Sequence, residues 1–252
     1  ARLIGRKRAE WGRLFLTNPE SPAGGEAERT TYAMYDPVTD KSVWSRSVPK
    51  DTLWTPVNGS DLAFLEPSGK VTLVEHRTGN ELWSTQLPEQ STPVKQFQIH
   101  TDHEQLYLHT AHDPTEGQEP VRIDPGIRTE ISAQISPVNG LVAALDRRSG
   151  QIVWSRTIEQ QLFRDSMPVG TGLLAYSATR QKIGGKAFQK DYSLIELLDR
   201  QTGKPVFQQE FPTGTMDTSW KLLHNGVLRV RLTGHDFDLS WKQPEGTPQQ
   251  SE

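Results

Sequence analysis

Four windows of eleven residues share one pattern, which constrains the fold of this chain more than any other feature of its sequence. Each window has an acidic residue third, Ser or Thr sixth, Gly or Asp seventh and an aromatic residue last. The windows are Met34–Trp44, Leu73–Trp83, Ala144–Trp154 and Leu197–Phe207. Recurrence of four residue types at fixed offsets indicates an architecture built from similar supersecondary units.

Each shared position has a physical role in a β-hairpin. The acidic and hydroxyl side chains can accept hydrogen bonds from the N–H groups of a tight turn, and glycine supplies the positive φ that closes it. Asp40, which replaces glycine in the first window, adopts this conformation more readily than most residues. The final aromatic ring is predicted to pack into the neighbouring unit. The predicted turn and docking residues are Asp36, Trp44, Glu75, Gly79, Trp83, Asp146, Gly150, Trp154, Asp199, Gly203 and Phe207.

The spacing of the final aromatic residues predicts an all-β fold, a β-propeller of four-stranded antiparallel blades. The interval from Trp44 to Trp83 is 39 residues, close to the roughly 40 to 45 residues of one blade. Alternating apolar residues and turn signals place four strands in it, at 53–58, 61–66, 70–77 and 81–87. The same order fits the next two blades, at 94–100, 105–111, 141–148 and 151–158, and at 162–169, 172–179, 192–199 and 205–211.

The extra length of the larger blades falls between their second and third strands. These insertions are predicted at 112–140 and 179–190, and at 18–30 in a first blade that lacks a clear opening strand. Loops at one strand junction project from one face of a propeller, so we expect that face to be a contact surface.

The strand count predicts four to five blades. Two or three strands are expected after Phe207, so that blades occupy residues 1–242 and a polar tail occupies 243–252. The blades could close into a small ring completed by an N-terminal strand. We favour part of a larger ring, because the sequence starts inside a blade and without methionine.

Composition excludes several kinds of function. The 28 Lys and Arg residues against 31 Asp and Glu give a net charge of −3, which provides no broad basis for nucleic-acid binding. No apolar run approaches the roughly 20 residues of a transmembrane helix. The absence of cysteine excludes disulfides, thiolate metal sites and a cysteine nucleophile.

The pattern Ala-x-Asp-x-x-Ser-Gly-x-x-x-Trp at Ala144–Trp154 resembles the tryptophan-docking repeat of quinoprotein dehydrogenases and their pyrroloquinoline-quinone-like relatives. Those relatives include non-enzymatic scaffold lipoproteins of bacterial outer-membrane assembly. The resemblance implies a ring of seven or eight blades and a periplasmic or exported bacterial protein. It also implies that an enzymatic member would carry a vicinal cysteine pair, a calcium site and an Asp base. This chain has no cysteine, and no segment matches the calcium or base residues.

These observations predict a non-enzymatic propeller without a cofactor, a scaffold whose loops bind a protein or peptide. One alternative is a fragment of a quinone- or metal-dependent oxidoreductase. Another is a glycan-binding propeller that uses Trp11, Trp54, Trp220 or Trp241 as stacking platforms, although packing between blades is the favoured role of these indoles.

The segment 99–113 contains the densest group of possible metal ligands. His100, His109 and His112 are the candidates for a divalent ion. Strand alternation, however, is expected to place Tyr107 and His109 on the face opposite to Leu106 and Leu108, so the imidazoles cannot all converge. A solvated polar hairpin is the favoured interpretation of this segment.

Overall fold

The structure is a computed structural model that describes residues 8–10, 13–20, 28–102, 104–113, 135–164, 172–182, 190–211, 218–223, 227–232 and 235–240. All regular secondary structure in these residues is β-strand, and none of them forms a helix. The first eight strands are β1 (Arg8–Glu10), β2 (Arg13–Glu20), β3 (Arg29–Asp36), β4 (Lys41–Pro49), β5 (Leu53–Val57), β6 (Asp61–Leu65), β7 (Lys70–Glu75) and β8 (Glu81–Gln86). The others are β9 (Gln96–Thr101), β10 (Gln105–Ala111), β11 (Ile135–Asp146), β12 (Ile152–Arg164), β13 (Leu173–Lys182), β14 (Lys190–Asp199), β15 (Pro205–Phe211), β16 (Thr218–Leu222), β17 (Val227–Leu232) and β18 (His235–Ser240).

The strands form antiparallel meanders in which each strand pairs with its neighbours in sequence. Two sheets have four strands, with the orders β1-β2-β3-β4 and β5-β6-β7-β8. A seven-stranded sheet has the order β15-β14-β13-β12-β11-β10-β9, and a three-stranded sheet has the order β16-β17-β18. The strands β5 to β8 match the predicted ones to within two residues at each end. The all-β, four-stranded antiparallel blade predicted from the repeat is confirmed.

Two strand predictions were wrong. The first blade has an opening strand after all, since β1 pairs with β2 through Arg8↔Phe15 and Glu10↔Arg13. The predicted strands 151–158 and 162–169 are not separate, because β12 continues to Arg164 and its end pairs with β13. Gln160 has a φ of 50°, so the chain changes direction inside β12 without the glycine or proline that would signal it.

The described parts of the predicted insertions mostly continue the flanking strands, and the rest of them, residues 21–27, 114–134 and 183–189, lies outside the described residues. Residues 18–20 continue β2 and pair with 29–31 of β3, so that the strands reach well into the segment predicted as a loop. In the same way β13 and β14 pair as far as Lys182↔Lys190, inside the predicted insertion 179–190. The strand β11 begins at Ile135, inside the insertion 112–140. Where the structure describes it, the extra length therefore adds residues to the second and third strands.

The chain divides into two compact units, Ala1–Asp113 with Asn139–Thr157 and Pro114–Val138 with Ile158–Glu252. The first unit has two apolar clusters. One centres on Leu65, Leu73, Trp83, Leu106 and Leu108, and the other contains Tyr32, Met34, Val48, Leu62, Phe64 and Val74. The second unit has a cluster of Leu173, Ala175, Ile195, Leu197, Leu228 and Val230, with Phe207 packed against it.

No helix in the described part of the chain is long and apolar enough to cross a membrane. The C-terminal tail predicted at 243–252 lies outside the described residues. The last described sheet has three strands, in keeping with the two or three strands expected after Phe207.

Candidate functional site

The two ends of each blade have different structures. We call the end where the third strand turns into the fourth, marked by Gly79 and Gly150, the docking end. The opposite end, where the second strand joins the third, is the hairpin end, and Arg29 and Lys70 mark it. The repeat residues lie at the docking end of their blades.

The turns at the docking end are closed by side-chain hydrogen bonds and by a glycine with a positive φ. Oδ1 of Asp146 accepts hydrogen bonds from the Ser149 N–H at 2.8 Å and the Ser149 hydroxyl at 2.7 Å. These bonds hold the pKa of Asp146 below its ordinary value. Asp199 accepts the equivalent bonds from Thr202 at 2.8 Å and 2.7 Å. The glycines that follow have a positive φ, which is 72° at Gly150 and 66° at Gly203.

The docking residues Trp44 and Trp83 each contact the turn of the next blade. The indole Nε1 of Trp44 donates to His76 O at 2.7 Å, and that of Trp83 donates to Arg147 O at 3.0 Å. The rings lie against the glycines, since a Cβ on Gly79 would be 2.5 Å from Trp44 Cγ and one on Gly150 would be 2.4 Å from Trp83 Cε3. Fixed turns and rings of this kind have a structural role and leave few groups for a ligand.

A polar cavity of about 270 Å³ lies at the hairpin end of the first two blades, between β4 on one side and β6 and β7 on the other. The side chains of Arg29, Arg46 and Lys70 line it together with Glu66. Phe64 and the β4 segment Ser47–Pro49 provide the remaining wall. The cavity therefore combines three cations with one carboxylate.

Hydrogen bonds orient two of the three cations. Arg29 donates from Nε to the Ser47 hydroxyl at 2.9 Å and from one terminal nitrogen to Ser47 O at 2.8 Å. Arg46 forms an ion pair with Glu81 at 2.5 Å. The ammonium of Lys70 makes no hydrogen bond or ion pair within the described residues. The cavity thus contains two positioned guanidinium groups and one available ammonium.

Of the three candidate metal ligands, two lie in contact with each other and the third has other partners. The rings of His100 and His109 meet edge to face with centroids 5.2 Å apart. His112 instead lies beside Asn139, whose amide nitrogen is 3.2 Å from His112 Nδ1. No group of three His, Cys, Asp or Glu side chains suited to a metal ion occurs among the residues that the structure describes, and His103 is not one of those residues.

His109 lies in the core of the third blade. Its side chain is almost completely buried, and Leu106 and Leu108 face the other side of the sheet in the large apolar cluster. Burial, and in second place the nearby His100, hold the pKa of His109 well below its ordinary value. An uncharged imidazole in the core replaces the solvated hairpin that we expected at this position.

The structure describes two of the four tryptophans that were considered for glycan stacking. Trp54 is partly buried and packs against the apolar cluster of the first two blades, the packing role that was favoured for it. Trp11 and Trp241 lie outside the described residues, and Trp220 lies in β16.

Sequence reasoning missed the cavity. Arg29 and Lys70 are 41 positions apart and line one cavity only because β3 and β4 of one blade lie beside β6 and β7 of the next. No spacing rule links cations on different blades, whereas the turn residues recur within eleven positions. The one available signal was the prediction that the junction of second and third strands forms a contact surface.

No protein-family model and no curated protein matches the chain. Similar solved structures include the quinohemoprotein alcohol dehydrogenase from Comamonas testosteroni, at 12% identity and a TM-score of 0.44, with 90% of this chain and 39% of that one covered. A europium-containing methanol dehydrogenase has 12% identity and a TM-score of 0.43, with 90% and 49% covered. The WD40 domain of Toxoplasma gondii coronin has 14% identity and a TM-score of 0.36, with 86% and 52% covered.

The chain spans between 39% and 52% of the length of these three structures. Their identities to this chain are low, so the likeness concerns fold and transfers no activity or partner. The strand order and the docked tryptophans define the fold independently of them. The chain has an all-β fold of antiparallel four-stranded blades, which is the architecture of a β-propeller.

Proposed function

We propose that this protein is a non-enzymatic binding module that holds a protein or peptide partner against the hairpin end of its blades. The observation that carries the proposal is the position of the cationic cavity, which lies at the end of the blades where β2 and β3 extend beyond the predicted strands. Charged side chains that blade packing does not use, such as Lys70 and Glu66, are therefore present at this end.

The different structural roles of the two ends support this proposal. The docking end uses its turns for closure and for the indole contacts of Trp44 and Trp83. The hairpin end contains Lys70, whose ammonium no described residue engages, and Glu66, whose carboxylate likewise has no bond to a described residue. Rigid blades with variable loops at one end are a common way to present a binding surface.

The non-enzymatic part of the proposal rests on the sequence. The resemblance to quinoprotein dehydrogenases implies a vicinal cysteine pair in an enzymatic member, and this chain has no cysteine. The sequence that carries the resemblance, Ala144–Trp154, consists of turn and packing residues in the structure. The resemblance thus comes from blade construction.

Site-specific photo-crosslinking in the native host tests the proposed binding face. A photoreactive residue at Ser68, in the exposed β6–β7 turn of the hairpin end, is expected to capture a defined partner. The matched control is the same residue at Val38, which is 89% exposed in a turn of the docking end. A partner captured equally from both positions, or none from Ser68, would contradict the proposal.

Absorbance spectroscopy and elemental analysis test the alternative that the protein is a quinone- or metal-dependent oxidoreductase. Purified protein is expected to show no quinone absorbance and no stoichiometric calcium in elemental analysis. Detection of either group at one equivalent would overturn the non-enzymatic proposal and favour the oxidoreductase alternative.

A further inference from the structure

We infer that the cavity lined by Arg29, Arg46 and Lys70 receives a carboxylate side chain from an acidic peptide segment of the partner. This inference rests on the proposed function and specifies the chemistry of that contact. It follows from the charge balance of the cavity, the arrangement of its donors and its size.

The cavity has a surplus of one positive charge. Its three cations line it together with Glu66, and one of them, Arg46, is paired with Glu81, which lies outside the cavity lining. Two carboxylates against three cations leave one positive charge uncompensated. A single carboxylate neutralises that surplus, whereas a phosphate group, at about −1.5 to −2 near neutral pH, would exceed it.

Two of the cations that line the cavity retain N–H groups for a ligand. Arg29 uses two of its five N–H groups on Ser47 and makes no other hydrogen bond to a described residue. Its guanidinium is therefore held in place and still has donors available. Lys70 supplies an ammonium that no described residue engages. Donors that are positioned before binding lower the entropic cost of holding the ligand.

The size and walls of the cavity suit a short acidic side chain. A volume of about 270 Å³ accommodates a Glu or Asp side chain and part of its backbone. The accessible lining is mainly polar, since Phe64 and Val48, which also line the cavity, are almost completely buried. Charge-assisted hydrogen bonds to Arg29 and Lys70 would then fix the carboxylate.

Titration with two blocked decapeptides of alternating Ser with Glu or Gln tests the inference, with the amide shifts of Ser47 and Thr72 as the readout. The Glu peptide is expected to shift both amides, and the Gln peptide is expected to leave them unchanged. Lys70→Gln and Arg29→Gln should each weaken binding about tenfold, because each removes a charge-assisted hydrogen bond. The control Lys41→Gln makes the same charge change at the docking end and should alter the affinity by less than about twofold.

The variant Glu66→Gln is expected to bind the Glu peptide more tightly than the wild-type protein does. It removes the carboxylate that competes for the cations and should tighten binding of the Glu peptide by about threefold or more. A gain in affinity cannot result from loss of folding, so this variant separates the inference from a structural effect. Weaker or unchanged binding by Glu66→Gln would overturn the inference.

Three further results would also overturn it. These are equal effects of Lys70→Gln and Lys41→Gln, equal binding of the Gln peptide, and tighter binding of inorganic phosphate than of the Glu peptide. A partner that crosslinks through Ser68 regardless of Lys70→Gln contradicts the inference and leaves the proposed function standing. Peptide binding at the cavity without a crosslinked partner supports the inference and contradicts the proposed function.

Discussion

Glycine at the seventh position of the repeat satisfies two separate requirements. Gly79 has a φ of 75°, a conformation that costs a residue with a Cβ about 1–2 kcal/mol. A Cβ there would also approach Trp44 Cγ to 2.5 Å, much closer than carbon atoms can approach each other. At Gly79 the turn therefore favours glycine and the indole contact requires it, whereas Asp40 occupies the same position of the first window with a φ of 56°.

Gly79→Ala and Gly172→Ala distinguish these two requirements. Gly172 has a similar φ of 64°, but a Cβ there meets nothing within 4 Å, so Gly172→Ala should lower the free energy of unfolding by about 1–2 kcal/mol. Gly79→Ala should lose about 1–3 kcal/mol more, because the Trp44 ring must also move. Urea unfolding measures both values. Equal losses would show that the turn alone requires glycine and that the ring contact contributes nothing.

The element that joins neighbouring blades is the fourth strand, whose two faces differ sharply. The aliphatic residue before each docking aromatic is exposed, and the four are Val43, Leu82, Val153 and Val206. The aromatic residue itself turns inward, and Trp83 belongs to the large apolar cluster of the first unit. This alternation follows from the period of two in a β-strand.

Adjacent substitutions in β8 measure the contribution of docking. Trp83→Ala removes an indole that is 7% exposed together with its hydrogen bond to Arg147 O, and should lower the free energy of unfolding by about 3–5 kcal/mol. Leu82→Ala changes the neighbouring side chain, which is 49% exposed, and should stay within about 0.5 kcal/mol. Chemical denaturation followed by circular dichroism gives both numbers. A loss at Leu82 comparable to that at Trp83 would indicate that the outer face of β8 is covered.

Turns and strands that are marked by residues close together in the sequence were predictable. The turns of the repeat and the strands β5 to β8 are marked by residues within a few positions of each other. The continuity of β12 was not predictable, because its bend falls on Gln160, a residue type with no preference for a positive φ. The extensions of the second and third strands were also missed, because polar stretches such as 179–182 at the end of β13 lack the apolar alternation that identifies a strand.

In the candidate site, too, the features with local sequence signals were predictable and the others were not. Turn residues such as Asp146 and Ser149 act within one window, and their hydrogen bonds match the roles that the repeat indicates. The cavity depends on β4 and β7, which belong to different blades and carry no shared pattern. The indole contacts between blades were predictable because the repeat itself marks Trp44 and Trp83, whereas no repeated position marks the cations of the cavity, which come together only in the packed structure.

For the whole molecule, the buried His109 makes stability depend on pH in the weakly acidic range. The folded-state pKa of His109 is held well below its ordinary value of 6.5 by burial, with a smaller effect of His100. Above about pH 6.5 the imidazole is neutral in both the folded and the unfolded state, so it contributes no pH dependence. Below that pH the His109 imidazole becomes protonated in the unfolded chain but stays neutral in the folded core. The free energy of unfolding therefore falls.

We expect His109 to contribute a slope of up to about 1.4 kcal/mol per pH unit as the pH falls from 6.5 toward its folded-state pKa. The variant His109→Gln keeps a polar, uncharged side chain in the core and should flatten the pH profile of the unfolding free energy between pH 7 and pH 5. His112→Gln leaves the buried imidazole in place and should retain the wild-type slope. Equal slopes for wild-type protein and His109→Gln would mean that the core accepts the protonated ring, against the burial that the structure shows.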